Sequence, residues 1–303
     1  MVFAVPDMAA AASYLTDYGL LPTAGVARRY EALDGTGIQL VAEDNPAHPN
    51  TLGTANQLRK VIYGVADAAA LEAVAAELAK DREVKANENG SIEAIDDLGF
   101  ALGFQLTCRQ AISAPGEQMN IPGATPQRPR NVVGVNEQFT PQPRTLSHFA
   151  LFVPDLAMAE DFYARLGFRI TDRLGGNPFL RPAGTDEHHT MFLIKTPPFM
   201  KGGEHLAFHV SGPGEVMRAG ARFSAMGHES SWGPGRHIMG SNWFWYFKSP
   251  LGVNVEYDAD MDKLDDDWVI REMPFSPDNA QIFLLEEREK FVPGGPPPGA
   301  AAH

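Results

Sequence analysis

Three residues in the C-terminal half of the sequence have types and positions that suit a metal ion. His148 begins the apolar segment HFALFV, His205 begins the similar segment HLAFHV, and Glu256 lies in LGVNVEYD. Two imidazoles and one carboxylate are the ligand set of facial-triad Fe(II) oxygenase sites, which leave metal positions open for substrate and O2. The trio therefore predicts a metal centre of the kind that activates O2.

The distribution of histidines places the chemistry in the same half. Seven of the nine histidines lie within residues 148–237. A single histidine in an apolar strand is more often part of the core than a metal ligand, but three ligands at corresponding positions favour a site. Alternation along a strand leaves two rival ligands, because His209 shares a face with His205 and Asp258 shares a face with Glu256.

The elements that must position these residues form a repeat. Asp155 and Asp7 each precede a segment that has apolar residues at helical spacing and ends in glycine. Fainter copies follow Asp67 and residues 211–214. Each predicted helix follows a short apolar strand and precedes further strand-like runs, so the unit recurs about every 50 to 60 residues. The sequence predicts an α+β protein of four such modules in two domains.

The predicted domain boundaries follow this repeat. The parts are an N-terminal domain of two degenerate modules (1–111), a linker (112–143), a C-terminal domain of two modules that carries the trio (144–260), and a C-terminal extension with a flexible tail (261–303). The linker is rich in proline and polar residues without a clear period, and the end of the tail is rich in proline and glycine.

Composition limits the location and the partners. With 44% hydrophobic and 21% charged residues, the 303-residue chain reads as a soluble globular protein. Its 38 acidic side chains outnumber 25 basic ones, which argues against nucleic acid as a partner. No apolar run approaches about 20 residues and no leader pattern is present, so no membrane span is expected and the cytoplasm is the predicted location. The single cysteine, Cys108, is predicted to be buried and to form no disulfide.

Two further patterns concern the surroundings of the trio. Four large apolar residues are predicted to line an aromatic pocket, namely Phe192, Trp232, Met239 and Trp243. The acidic run within residues 258–267 lacks the spaced glycine and distal glutamate of a Ca²⁺ loop, and it is interpreted as the solvated start of a helix.

Five stretches resemble a known family. They are SHFALFVPDLAMAEDFYARLGF, DEHHTMFLIK, GEHLAFHV, GPGRH and WYFKSPLGVNVEYD, all within residues 145–260. Together they resemble the two-domain extradiol catechol dioxygenases of the vicinal oxygen chelate (glyoxalase/bleomycin resistance/dioxygenase) superfamily, in which paired βαβββ modules curl a sheet around one Fe(II). The resemblance implies four tandem βαβββ modules that form two such domains, and the N-terminal half shares only the repeat.

The resemblance also implies a role for each of six residues. The metal ligands would be His148, His205 and Glu256. The expected metal is Fe(II), with Mn(II) as the alternative. His189 in DEHHTM would be the acid/base histidine near O2, and His188 is its rival. His237 in GPGRH would contact the substrate, and Tyr246 would hydrogen-bond the bound catecholate.

The N-terminal half keeps the pattern and lacks the ligands. Aligning VIYGV with HLAFHV puts Lys60 where His205 stands, and aligning DLGFALGF with PLGVNVEY puts Gly103 where Glu256 stands. The position that matches the first histidine ligand falls just before Met1. The first domain is therefore predicted to bind no metal and to have a structural role or to wall the site.

The activity that the resemblance implies is Fe(II)-dependent extradiol (meta) cleavage of a catechol-type substrate by O2, which gives a muconic semialdehyde-type product in aromatic catabolism. The implied partners are the catechol, O2 and further copies of the chain in a homo-oligomer. One alternative is a metal-dependent isomerase or lyase of the glyoxalase type, although residues 192–195 (FLIK) offer no carboxylate as a fourth ligand. The other is a non-catalytic small-molecule-binding protein of the same fold, for which six retained site residues would have no use. The ring substituent stays open.

Overall fold

The computed structural model describes residues 1–54, 56–135 and 138–284. The helices are α1 (Met8–Tyr18), α2 (Ala68–Leu78), α3 (Leu156–Arg165), α4 (Pro213–Ala225) and α5 (Pro277–Ala280). The strands are β1 (Val2–Val5), β2 (Leu21–Pro22), β3 (Arg29–Glu31), β4 (Gly37–Ala42), β5 (Leu58–Val65), β6 (Lys85–Ala86), β7 (Ile92–Ile95), β8 (Ala101–Leu106), β9 (Thr145–Val153), β10 (Phe168–Leu174), β11 (Asn177–Pro182), β12 (Met191–Lys195), β13 (Gly202–His209), β14 (Ser230–His237), β15 (Trp243–Lys248), β16 (Asn254–Ala259), β17 (Arg271–Met273) and β18 (Gln281–Leu284).

The strands form two sheets with related orders. The N-terminal sheet runs β2-β3-β4-β1-β5-β8-β7-β6, and the C-terminal sheet runs β17-β10-β11-β12-β9-β13-β16-β15-β14-β18. In each sheet the first strands of two modules pair antiparallel at the centre, β1 with β5 and β9 with β13. Each of these strands also pairs in parallel with a later strand of its own module. The predicted repeat of a strand, a helix and several strands is therefore present.

Three of the helices begin as the sequence predicts. The side chains of Asp7, Asp67 and Asp155 accept the backbone N–H three residues later, at distances of 2.9, 2.8 and 3.1 Å. Helix α1 ends at Gly19, whose φ of 111° is a left-handed conformation that would be strained in a residue with a side chain. These local signals fix where each helix starts, so its apolar face meets the sheet of its own module.

The two halves of the chain pack through buried tyrosines. The rings of Tyr18 and Tyr257 stack with centroids 4.0 Å apart. The Tyr18 hydroxyl donates to the backbone carbonyl of Glu256 at 2.6 Å, and the Tyr257 hydroxyl donates to the carbonyl of Tyr18 at 2.7 Å. Helix α1 of the first half therefore supports β16, the strand that carries the candidate carboxylate ligand.

The residues after β16 do not form the predicted helix start. Residues 260–270 contain no helix, and Asp258 is buried within β16, so that interpretation is wrong. Instead, β17 pairs with β10 and β18 pairs with β14 at the two edges of the C-terminal sheet. The predicted flexible tail after about residue 290 lies outside the described residues.

Two other expectations concern single features. Cys108 is exposed and lies beyond the end of β8, so the prediction that it is buried is wrong. The described part of residues 112–143 has no helix or strand, and the carbonyls of Ala114 and Pro115 are held by the Arg144 guanidinium. In the described ranges, no helix combines the length and apolar character that crossing a membrane requires.

Candidate metal centre and its pocket

Strand register brings the three candidate ligands to one face of the C-terminal sheet. Ala207 on β13 pairs with His148 on β9 and with Glu256 on β16, so these three residues form one row across the sheet. Directly paired residues point to the same face, and so do residues two apart on one strand. His205 therefore shares this face, and Tyr246, which pairs with Glu256 from β15, shares it as well.

The ligand atoms converge closely. One ligand atom from each of His148, His205 and Glu256 lies within 4.8 Å of the other two, and all three residues are buried. Glu256 Oε2 is 3.2 Å from His148 Nε2 and 3.7 Å from His205 Nε2. Among the described residues, no other group of three His, Cys, Asp or Glu side chains meets this arrangement.

The donor atoms fit a divalent metal because the protein leaves them without other partners. His205 Nε2 and both carboxylate oxygens of Glu256 are buried and have no partner in good hydrogen-bond geometry within the described residues, although His148 Nε2 lies 3.2 Å from Glu256 Oε2. Unpaired polar atoms in a protein interior are costly and rare. Two imidazole nitrogens and a carboxylate are donors that Fe(II) and Mn(II) accept, and binding a cation would satisfy the unpaired atoms.

Outer hydrogen bonds orient both imidazoles. His148 Nδ1 lies 2.9 Å from the Ser147 hydroxyl, and His205 Nδ1 contacts the carboxylate of Glu204. Because the Nδ1 atoms are engaged, the Nε2 atoms are the ones left to face the centre. The charges agree with this arrangement: burial opposes ionisation of Glu256, but the adjacent His148, His237 and His205 hold its pKa well below the usual range.

The rival ligands His209 and Asp258 bind each other and are not part of the converging ligand group. His209 Nδ1 is 2.8 Å from Asp258 Oδ1, and His209 Nε2 is 3.3 Å from Glu187 Oε1. Burial alone would lower the pKa of His209. The carboxylates of Asp258 and Glu187 outweigh this effect and raise the pKa to about 10. A protonated imidazole has no lone pair for a metal, so His209 acts as the cation between two carboxylates.

His189 stands beside the candidate ligands, at the end of a buried chain of hydrogen bonds. Its ring centroid is 4.4 Å from that of His148. Its Nδ1 is 2.9 Å from His188 Nδ1, and His188 Nε2 is 2.9 Å from Asp172 Oδ2. Burial, together with the neighbouring histidines, lowers the pKa of His189 well below its ordinary value. Sequence reasoning missed Asp172, because nothing in its local segment indicates a partner.

His237 and Tyr246 form a pair on the other side of the centre. His237 Nε2 is 3.2 Å from the Tyr246 hydroxyl, and His237 Nδ1 donates to the backbone carbonyl of Ala280 at 3.0 Å. Burial raises the pKa of Tyr246 well above its ordinary value, and nearby carboxylates including Glu256 add to this effect. Tyr246 therefore remains a neutral phenol that can donate a hydrogen bond at neutral pH.

These residues line one pocket with apolar walls. The lining is His148, Leu174, Phe179, His189, Phe192, His205, Trp232, His237, Met239, Tyr246, Phe275 and Ala280. The empty space among these residues, including the part open to solvent at the mouth, is about 550 Å³. Phe275 and Ala280 come from the C-terminal extension, and no sequence pattern indicates that they line the pocket.

One predicted lining residue is misplaced. Phe192, Trp232 and Met239 line the pocket as expected, but Trp243 does not. Trp243 and Tyr246 are three residues apart on β15, so alternation points them to opposite faces. Trp243 packs instead against Phe283, at a centroid distance of 5.1 Å.

The corresponding position in the N-terminal sheet is filled by an ion pair. Ile62 pairs with Gly103 as Ala207 pairs with Glu256, which matches the alignment made from the sequence. Lys60 Nζ, at the position of the histidine on β13, lies 2.5 Å from Glu93 Oε1. Among the described residues of the first half, a paired ammonium thus occupies the position that corresponds to His205.

Comparisons with known proteins agree with this architecture. Residues 145–257 match the family model described as Glyoxalase/Bleomycin resistance protein/Dioxygenase superfamily. Metapyrocatechase 2 of Cupriavidus necator is 39% identical over 123 residues, which are 40% of this chain and 38% of that protein. The match therefore spans less than two thirds of the length of that relative. Biphenyl-2,3-diol 1,2-dioxygenase of Paraburkholderia xenovorans (strain LB400) is 29% identical over 294 residues, 89% of each protein.

A solved structure shows the same fold over nearly the whole chain. The Mn(II)-bound glyoxalase from Novosphingobium aromaticivorans superposes with a TM-score of 0.73 at 21% identity, covering 98% of this chain and 94% of that one. This likeness confirms the predicted α+β fold, which is consistent with two vicinal-oxygen-chelate domains. Residues 145–257 form a domain of the Glyoxalase/Bleomycin resistance protein/Dioxygenase superfamily.

Proposed function

We propose that this protein is an extradiol dioxygenase that cleaves the ring of a catechol with O2. The observation that carries the proposal is the unpaired, buried donor set of His205 and Glu256 beside His148, open to an apolar pocket. Both relatives reported above are named for this reaction class, and one of them aligns over 89% of the chain. One O2 would be consumed for each ring, and both oxygen atoms would enter a muconic semialdehyde-type product.

His148, His205 and Glu256 would hold the metal. Fe(II) is the proposed metal, with Mn(II) as the alternative, since a Mn(II)-bound protein shares the fold. When bound, the metal would supply a Lewis acid that acidifies one catechol hydroxyl and a site at which substrate and O2 meet. Three protein ligands leave coordination positions for both.

The other polar residues of the pocket would handle protons and orient the ring. Tyr246, as a neutral phenol, would donate a hydrogen bond to the oxygen of the bound catecholate. Before substrate binds, the Tyr246 hydroxyl can donate to His237 Nε2 at 3.2 Å, and it would exchange this acceptor for the catecholate oxygen. His189 is uncharged because burial lowers its pKa, so it can take a proton from the substrate and return it later.

The walls of the pocket favour a catechol with an uncharged substituent. Apart from the candidate ligands and the polar residues already named, the lining is Leu174, Phe179, Phe192, Trp232, Met239, Phe275 and Ala280. None of these side chains can compensate a carboxylate, and burying an unpaired charge is costly. An alkyl or aryl group would instead bury apolar surface against these walls, and its binding is favoured by the hydrophobic effect.

The test begins with anaerobic loading of the purified chain with Fe(II) or Mn(II). Catechol, 3-alkyl and 3-aryl catechols and a carboxylated catechol are then added with O2, and oxygen uptake and the yellow ring-fission product are followed. We expect cleavage of the uncharged substrates and loss of uptake in His148→Ala. Metal binding without O2 consumption by any of these catechols would refute the proposal.

The alternatives from the sequence have less support. A glyoxalase-type isomerase would use a fourth protein ligand from the end of the third module, and β12 presents Phe192 and no carboxylate to the pocket. A binding protein would not require buried donors that lack partners. The cytoplasmic location and the homo-oligomer stay predictions.

A further inference from the structure

A chain of buried hydrogen bonds runs from the C-terminal extension to His189. Arg271 on β17 holds Asp172 on β10 through its backbone N–H and its Nε, each at 2.8 Å. Asp172 Oδ2 lies 2.9 Å from His188 Nε2, and His188 Nδ1 lies 2.9 Å from His189 Nδ1. Asp172 and His188 are completely buried, so water does not compete for these bonds.

The order of donors in this chain follows from chemistry. An ionised carboxylate can only accept, so His188 Nε2 carries the proton that bonds to Asp172. Burial raises the pKa of Asp172, but hydrogen bonds from His188 and Arg271 lower it below its usual value, so it is ionised. Arg271 already balances that charge. With its proton on Nε2, the His188 imidazole presents Nδ1 as an acceptor.

We propose that His188 is a positioning residue that fixes the tautomer of His189. An acceptor at His188 Nδ1 requires His189 to carry its proton on Nδ1, which leaves the lone pair on Nε2. His189 lines the pocket, so its free nitrogen is prepared to take a proton there. Asp172 and Arg271 act through His188 in the same way. The catalytic consequence rests on the proposed dioxygenase function, whereas the tautomer does not.

The tautomer can be measured without turnover. The full chain, labelled with ¹⁵N-histidine and loaded with diamagnetic Zn(II), gives long-range ¹H–¹⁵N spectra that distinguish Nδ1–H from Nε2–H imidazoles. His189→Gln assigns the signals of His189. We expect Nδ1–H in the wild type and in His188→Asn, whose amide oxygen can replace the Nδ1 acceptor. In His188→Leu the acceptor is lost, and we expect the Nε2–H form to appear.

Kinetics of the Fe(II)-loaded enzyme provide the second measurement. Loss of correct acid/base positioning should lower kcat by about tenfold or more in His188→Leu, with little change in KM or iron content. His188→Asn should recover most of that loss. His48→Asn, in the other half of the chain, should retain the wild-type kcat.

An Nε2–H tautomer of His189 in the wild type would overturn the inference, even if His188→Leu does not fold. Unchanged tautomer and kcat in a folded His188→Leu would overturn it as well. Failure of the proposed function would look different, because wild-type protein would then show the Nδ1–H signal and cleave no catechol.

Discussion

Removal of the Tyr246 hydroxyl is expected to lower kcat/KM of the proposed reaction, and the surroundings of the hydroxyl indicate by how much. The hydroxyl lies 3.2 Å from His237 Nε2, and the residue is 3% exposed. Burial keeps its pKa well above the ordinary value, so it would meet the catecholate as a neutral donor. A hydrogen bond to a charged group contributes about 1.5–3 kcal/mol, so Tyr246→Phe should lower kcat/KM by about 10- to 150-fold.

The assay is steady-state O2 uptake by Fe(II)-loaded protein at several catechol concentrations. Tyr14→Phe is the matched control, because it also removes a buried tyrosine hydroxyl, one that has no hydrogen-bond partner in the described structure and packs against Phe223 away from the pocket. Iron content and thermal midpoint should be unchanged in both variants. A kcat/KM of Tyr246→Phe equal to that of Tyr14→Phe would refute the assigned role.

Three other substitutions test the metal centre, a buried carboxyl and the contact between the halves. Glu256→Gln removes the only carboxylate of the trio, so elemental analysis should find almost no retained iron after desalting; full iron occupancy would contradict the ligand assignment. Burial raises the pKa of Asp96 from 3.8 to about 6, although backbone N–H groups of Phe100 and Leu98 lower it. Because the folded pKa lies above the unfolded one, this contribution to stability is present below the unfolded pKa and lost as pH rises through about 6. Asp96→Asn should therefore raise the free energy of urea unfolding at pH 7 by about 1–3 kcal/mol and flatten its change between about pH 4 and 6; a loss of stability at pH 7 would contradict this. Tyr18→Phe removes the bond to the Glu256 carbonyl and should destabilise the protein by about 1 kcal/mol, seen as a lower urea midpoint; an unchanged midpoint would show that the contact has no net effect.

The features that were predictable from the sequence are those with local signals. Aspartate caps and helical spacing locate α1 and α3, and strand alternation places Glu256 on the face opposite Val255. The repeat relates His148 to His205, so register alone brings them together once the modules pair. The resemblance added the roles of residues outside the trio, and those roles stay proposals.

The features that could not be predicted depend on contacts distant in sequence. Arg271 reaches Asp172 from 99 residues away, and no pattern near either residue indicates that the extension returns to β10. The same holds for Phe275 and Ala280 in the pocket. The error at Trp243 was different, because alternation from Tyr246 already pointed it to the opposite face.

The measurement that tests the central claim most directly is the fate of labelled oxygen. Protein loaded with Fe(II) without air is mixed with a 3-alkyl or 3-aryl catechol and then with ¹⁸O2, and the product is analysed at once by mass spectrometry. The account predicts a ring-opened product that contains both atoms of one O2, absent in Glu256→Gln. Recovery of intact catechol, or of a quinone without labelled oxygen, would contradict it.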